Sequence, residues 1–301
     1  MNQERNCSMN AFFIAIVILL YTMQSFLCRK YSEHYPGNSD MASLVFTIIS
    51  GAIVALISFI FTGFSFSASP LTILLGILNA AVLVGYNTCL IKASQNGPYS
   101  ILMVFLVAGG ILLPSLVSVF AFHEALSAGK ICSVLIILGS VYMISRKKEE
   151  AAFTQKGMFL FACAGLALFN GAYGALLNVQ QQLTSPAEKE EMVAVTYLSA
   201  MLISSIILLI RSPQKFLSAM AQSKKSVIYL LSCSIIVALA INLMVYILPL
   251  INVTILYTFD NAGVLLLSVL FSCIFLKEKL SVLNWLGCAA MCLALIGISI
   301  L

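Results

Sequence analysis

Charge is what this sequence most lacks. Of its 301 residues, 9% are Asp, Glu, Lys or Arg and 61% are hydrophobic. A water-soluble domain usually carries about 25% charged residues, so an ordinary soluble domain is excluded. The 16 Lys and Arg exceed the 11 Asp and Glu by five. They are scattered among short polar links and form no stripe for phosphates to follow, so no nucleic-acid partner is expected. Histidine is limited to His34 and His123, both outside the apolar runs. There is no His-Glu-x-x-His, no Gly-x-Ser-x-Gly and no pair of acids within an apolar run, which leaves an intramembrane enzyme without its residues. No Gly-x-x-x-x-Gly-Lys-Ser/Thr loop occurs, so ATP drive within the chain is not expected either. The nine cysteines include no Cys-x-x-Cys pair. Cys288 and Cys292 share a helix face but have no histidine nearby, so neither a metal nor another cofactor is expected, and the cysteines read as small apolar packers.

What the chain does have is apolar sequence, in ten runs: Ala11–Leu27, Met41–Phe61, Leu71–Ile91, Tyr99–Phe122, Ile131–Ile144, Gly157–Val179, Met192–Ile210, Val227–Leu248, Leu250–Leu276 and Val282–Leu301. Most are about 20 residues, the length of a helical membrane span. The first has no small-x-small cleavage site, and its leader carries as much acid as base, so it reads as a retained helix and not a signal peptide. Turn chemistry separates the runs: Tyr35-Pro36-Gly37-Asn38, Ala68-Ser69-Pro70, Asn96-Gly97-Pro98 and Pro249. Ser127 and Ser281 stand where N-caps of the fifth and tenth helices belong.

The two halves resemble each other. A slide of 154 residues sets Ile101–Ser127 on Ile255–Ser281, with 12 of 27 positions identical. Several are leucines that any apolar chain supplies. Phe105/Phe259, the two Ala-Gly pairs and the final Glu-x-Leu-Ser are less easily met by chance. The expected fold is an all-α membrane protein with ten transmembrane helices in two five-helix repeats, residues 1–150 and 151–301. Five is odd, so the copies must be inverted, with a site near the midplane where they meet. The odd-numbered links hold thirteen Lys and Arg, and the N-terminus and even links hold three (Arg5, Lys130 and Lys189). The positive-inside rule then puts the odd links in the cytoplasm and both termini outside.

Ten helices, a five-plus-five repeat and the turns Phe122-His123-Glu124-Ala125-Leu126-Ser127 and Leu276-Lys277-Glu278-Lys279-Leu280-Ser281 resemble the drug/metabolite transporter superfamily, EamA type, over essentially the whole chain. The resemblance implies a bundle with a central cavity and movement of small metabolites such as amino acids, nucleotide sugars or drugs. It also implies cytoplasmic termini, opposite to the charge count. Where members often carry Trp-Gly near the end of the first helix, this chain has Tyr21-Thr22-Met23-Gln24.

The stretch that carries the chemistry is Leu250–Lys279. Its one acid within the apolar run, Asp260, lies ~15 Å into a ~30 Å hydrocarbon layer at ~1.5 Å per residue. A carboxylate there costs at least ~2.5 kcal/mol unless a cavity or partner receives it. Asn261 follows it and Tyr257 sits one turn earlier. Asp260-Asn261 aligns with Leu106-Val107 in the first copy, and that asymmetry favours a functional over an architectural role. Other polar residues fall on shared helix faces: Tyr21 and Gln24, Asn79 and Tyr86, Asn170 and Tyr173, Asn242 and Tyr246. Together these eleven are the candidate substrate-binding residues. Their plain alternative is interhelical hydrogen bonding, at ~0.6 kcal/mol per bond. Asp260 either carries a proton in coupled transport or pairs with a substrate amine; its plain alternative is a neutral acid bonded to a helix backbone. Glu124 and Glu278 read as turn structure, with gating as the sharper alternative. Lys92 reads as an interfacial anchor, and Ala167, Gly171 and Ala175 as a close packing face. The expected function is a secondary transporter of a small polar, amino-acid-like metabolite in a bacterial inner membrane. Its partners would be the substrate and the lipid bilayer, as a monomer or homodimer. The alternative is a non-transporting scaffold or assembly subunit, which would have a dry core.

Overall fold

In a computed structural model, residues 2–122, 128–145, 153–184, 188–211, 213, 223–247 and 253–300 are described. Among them are ten helices and no strand: α1 (Asn2–His34), α2 (Ser39–Phe61), α3 (Pro70–Asn96), α4 (Tyr99–Phe122), α5 (Ala128–Ser145), α6 (Lys156–Leu183), α7 (Lys189–Arg211), α8 (Lys224–Ile247), α9 (Val253–Phe275) and α10 (Val282–Ile300). Six of them, α1 to α3 and α6 to α8, contain stretches long and apolar enough to cross a membrane, and α4, α9 and α10 contain shorter apolar stretches. Large side chains such as Leu56, Phe61, Leu135, Phe161 and Ile210 are exposed, and apolar surface of that extent suits lipid. The protein is a multi-pass membrane protein.

The helices start where the sequence supplies caps. Asn38 accepts a hydrogen bond from the Met41 N–H (2.9 Å) at the start of α2, and Ser69 from the Thr72 N–H (3.3 Å) ahead of Pro70 in α3. Ser281 caps α10 as expected, accepting from the Asn284 N–H (3.2 Å). The other expected cap, Ser127, lies outside the described residues, as do His123 and Glu124. The cysteines on the described side chains are free.

Most packing joins the first half of the chain to the second. α3 lies on α6 and α7, α4 on α6, α2 on α7 and α8, α1 on α8 and α9, and α5 on α10. The expected small-residue face on α6 meets α4. A Cβ added to Gly109 would stand 2.1 Å from the Ala167 carbonyl oxygen, and one added to Gly171 would stand 2.4 Å from the Gly109 oxygen. The backbones approach too closely there for any side chain, the arrangement by which helices gain van der Waals contact where water provides no drive.

Candidate functional site

A cavity of about 210 Å³ opens among seven helices: α1, α3, α4, α6, α7, α8 and α9. It reaches down to Tyr21, Gln24 and Ser25, about ten residues from the end of α1, which is ~15 Å of helix. In the other direction it reaches Lys189, the first residue of α7.

Seven of the eleven candidates line this cavity: Tyr21 and Gln24 from α1, Tyr86 from α3, Asn170 and Tyr173 from α6, Asp260 and Asn261 from α9. Asp260 is 9% exposed, and its Oδ1 has no hydrogen-bond partner among the described residues. Its neighbour Phe259 is 54% exposed, so α9 turns one face to the bundle surface and the carboxylate inward. Asn170 donates from Nδ2 to the Leu106 carbonyl (2.8 Å). Asn170 and Asn261 face each other across Gly110, whose absent Cβ would lie 2.7 Å from Asn170 Nδ2 and 3.6 Å from Asn261 Oδ1. Glycine on α4 therefore lets the two amides, both from the second half, flank one spot on the cavity wall. Leu106, the repeat partner of Asp260, lines the same cavity.

Three candidates go elsewhere. Tyr246 is 60% exposed and meets Phe13 edge-on. Asn242 is buried and donates to Ser58 Oγ (3.2 Å) and to the Ala238 carbonyl (2.8 Å), the interhelical bonding that was its plain alternative. Asn79 is fully buried with neither amide atom partnered among the described residues, and it is not on the cavity wall. The Tyr257 side chain lies outside those described.

The cavity also uses residues the sequence did not single out. Tyr197 on α7 is buried, hydrogen bonded to Tyr173, and packed with Tyr21 and Tyr86, so four phenols from four helices form one wall. Lys189 adds a cation at the opposite end. The signal for it was faint: it is one of three basic residues on the side of the chain with few.

One end of the bundle is tied shut. Arg29 Nη1 donates to the Gly97 carbonyl (2.7 Å), Gln95 Nε2 donates to the Ser32 carbonyl (2.9 Å), and Lys92 pairs with Asp40 (2.7 Å). Lys92 is thus bound to a carboxylate, beyond the anchoring expected of it. Glu278 closes the set. Its Oε1 accepts from the Tyr99 N–H (2.6 Å), and its Oε2 accepts from the Ser100 N–H (3.1 Å) and the Ser100 hydroxyl (2.7 Å). It caps α4, far away in sequence, and not the helix that follows it. Lys277 makes this possible with φ 54°, while the Glu278 N–H returns to the Ser272 carbonyl (3.1 Å). This is a left-handed helix ending of the kind glycine usually makes. At the other end Glu188 receives the Ser69 N–H (3.1 Å) and hydroxyl (2.8 Å) and the Thr72 hydroxyl.

No curated protein matches the sequence significantly. A solved crystal structure of a protein superposes on 97% of this chain and 98% of its own with a TM-score of 0.66 at 16% identity, a likeness of fold. Residues 155–300 match the EamA-like transporter family. That stretch holds α6 to α10, with Asn170, Tyr173, Lys189, Asp260 and Asn261 of the cavity, so the second half of the chain is similar to the EamA-like transporter family.

Proposed function

We propose that this chain is a secondary transporter that moves a small polar, amino-acid-like metabolite by alternating access. Asp260 carries the reading. A carboxylate buried with an unpartnered oxygen costs at least ~2.5 kcal/mol at the middle of a span. A scaffold gains nothing from that cost, whereas a substrate amine or a proton arriving at Asp260 offsets it.

The packing supports the moving parts. Exchange α1–α5 for α6–α10 and the contacts reappear: α3 on α6 becomes α8 on α1, α4 on α6 becomes α9 on α1, and α3 on α7 becomes α8 on α2. This supports ten spans in two inverted copies, 1–150 and 151–301. It also sorts eight helices into two groups, α1, α2, α8, α9 and α3, α4, α6, α7, with the cavity between them. Rocking of one group on the other would open the tied end and close the mouth. The odd links carry thirteen of the sixteen basic residues, which assigns the tied end to the cytoplasm of a bacterial inner membrane and the mouth to the outside. One chain supplies a whole cavity, so a monomer suffices and a homodimer would repeat it.

Counterflow in proteoliposomes tests this. The full chain is expected to exchange labelled neutral amino acids. Asp260→Asn is expected either to lose exchange or to keep it without pH dependence, the second outcome marking a proton carrier. Exchange by Asp260→Asn unchanged in both rate and pH dependence refutes the assignment.

A further inference from the structure

Lys189 stands in an unusual position for a lysine. It is the first residue of α7, where the helix dipole already presents partial positive charge and favours acids. Glu190 and Glu191 follow in the same turn, so that turn is not short of anions, yet Lys189 forms no ion pair among the described residues. It is half-buried and lines the cavity that holds Asp260. Among the described residues, one cavity therefore holds a lysine with no carboxylate partner and a carboxylate oxygen with no donor.

Their spacing follows from the helices. α7 and α9 both begin after even-numbered links, at the same end of the chain's up-and-down path. Lys189 is the first residue of α7, and Asp260 is seven residues, ~10 Å of helix, beyond the start of α9. A lysine side chain spans part of that distance. The two side chains form no ion pair with each other among the described residues, and a molecule whose cationic and anionic groups are a few bonds apart would serve both.

We propose that Lys189 is the contact for the substrate's anionic group, so that the cavity selects zwitterions: the cationic group at Asp260 and Asn261, the anionic group at Lys189 near the mouth, and the body of the molecule along the tyrosine wall. This rests on the reading of the cavity as a transport site and adds a specificity residue to it. Neither charge alone suffices. An amine without an acid leaves Lys189 bare, and an acid without an amine leaves Asp260 unpaired.

The test uses the full chain purified in detergent, with thermal stabilisation titrated by matched probes: L-phenylalanine, L-leucine and L-glutamine, the amide of each, and the corresponding acid lacking the amine. Each free amino acid that binds is expected to outbind its amide and its deaminated acid by about tenfold or more, as loss of a charge-assisted contact implies. Lys189→Gln is expected to weaken the amino acid about tenfold and leave its amide unchanged, with Lys189→Arg restoring the difference. A Lys189→Gln variant that binds amino acids like wild type overturns the proposal, as does a wild type that binds amides equally well. No stabilisation by any amino acid overturns it too. In those cases, counterflow of simple amines that still depends on Asp260 keeps the transport reading, and its absence removes that as well.

Discussion

Glu278 is the most informative residue to change, because its carboxylate joins the two halves of the chain. It accepts three hydrogen bonds from Tyr99 and Ser100, and Ser100 is 1% exposed. Glu278→Gln keeps one oxygen and replaces the other with a donor, which would face the N–H and hydroxyl of Ser100. A buried donor left without an acceptor costs ~1–3 kcal/mol. Taking ~2 kcal/mol, the population opened at this end rises about 30-fold, since each ~1.4 kcal/mol is a factor of ten. Cys28 is a natural reporter. It is fully buried on α1 and lies close to Tyr86 and Tyr99 on the facing helices. With the other cysteines replaced, the labelling rate of Cys28 by a small thiol reagent reads the open fraction. A parallel background keeping only Cys288, buried on α10, reports global unfolding. The expected result is a large rise at Cys28 and little change at Cys288. Equal rates in Glu278→Gln and wild type refute the latch, and equal acceleration at both cysteines reduces Glu278 to a stability residue.

Three further outcomes follow from the packing and the caps. Gly109→Ala sets a Cβ 2.1 Å from the Ala167 oxygen; forcing α4 off α6 is expected to cost ~1–3 kcal/mol or more of stability, whereas Gly139→Ala, with nothing within 4 Å, should be neutral or gain up to ~1 kcal/mol from helix propensity, both read from melting in detergent. Asn242→Ala removes bonds to Ser58 and Ala238; it is expected to lower stability by ~1 kcal/mol and leave the ranking of transported substrates unchanged, and an altered ranking would return Asn242 to the site. Hydrogen bonds from Thr72 and Ser69 hold the Glu188 carboxyl below its ordinary value of 4.5. A depressed folded-state pKa stabilises above the unfolded value and is lost as pH falls through the folded one. Glu188→Gln should therefore melt below wild type at pH 7, and the difference should vanish only in acid below the usual glutamate range.

The fold was legible because membrane spans announce themselves by length and apolarity. α2 and α7 match their runs to within a few residues, and α1 extends well past its run because polar turns at each end continue a helix that the lipid does not require. The lining of the cavity was legible in part. Asp260, Asn261 and Asn170 were visible because polar groups inside a span carry a high cost. Asn242 carries the same cost and meets it differently, through Ser58 on α2, and spacing along one helix says nothing about what faces it from another. Tyr246 failed for a related reason: a phenol at the edge of a span is as comfortable against lipid headgroups as in a cavity. Lys189 was missed because it falls at the boundary between a link and a helix, where a lysine looks like ordinary punctuation. Glu278 was read near its own helix, although it caps α4; its target Ser100 lies 178 residues away in sequence, beyond any local pattern.

The repeat and the site make opposite demands on the sequence. On the alternating-access proposal, motion between two states benefits from symmetry, because two copies of one unit could exchange conformations at nearly equal energy. Binding does not. Were Leu106 also an acid, the cavity would hold two carboxylates, each disfavouring the other's ionisation and each adding its own burial cost. Placing leucine in one copy and aspartate in the other keeps a single acid in the cavity, and the Leu106 backbone carbonyl holds Asn170 in place (2.8 Å). Leu106→Asp therefore tests the argument from the other side. It retains the repeat and the packing position, and it is expected to cost ~2.5 kcal/mol or more in stability without adding transport. A variant as stable and as active as wild type would show that the cavity tolerates charge on either wall, and that the asymmetry between Asp260 and Leu106 carries no function.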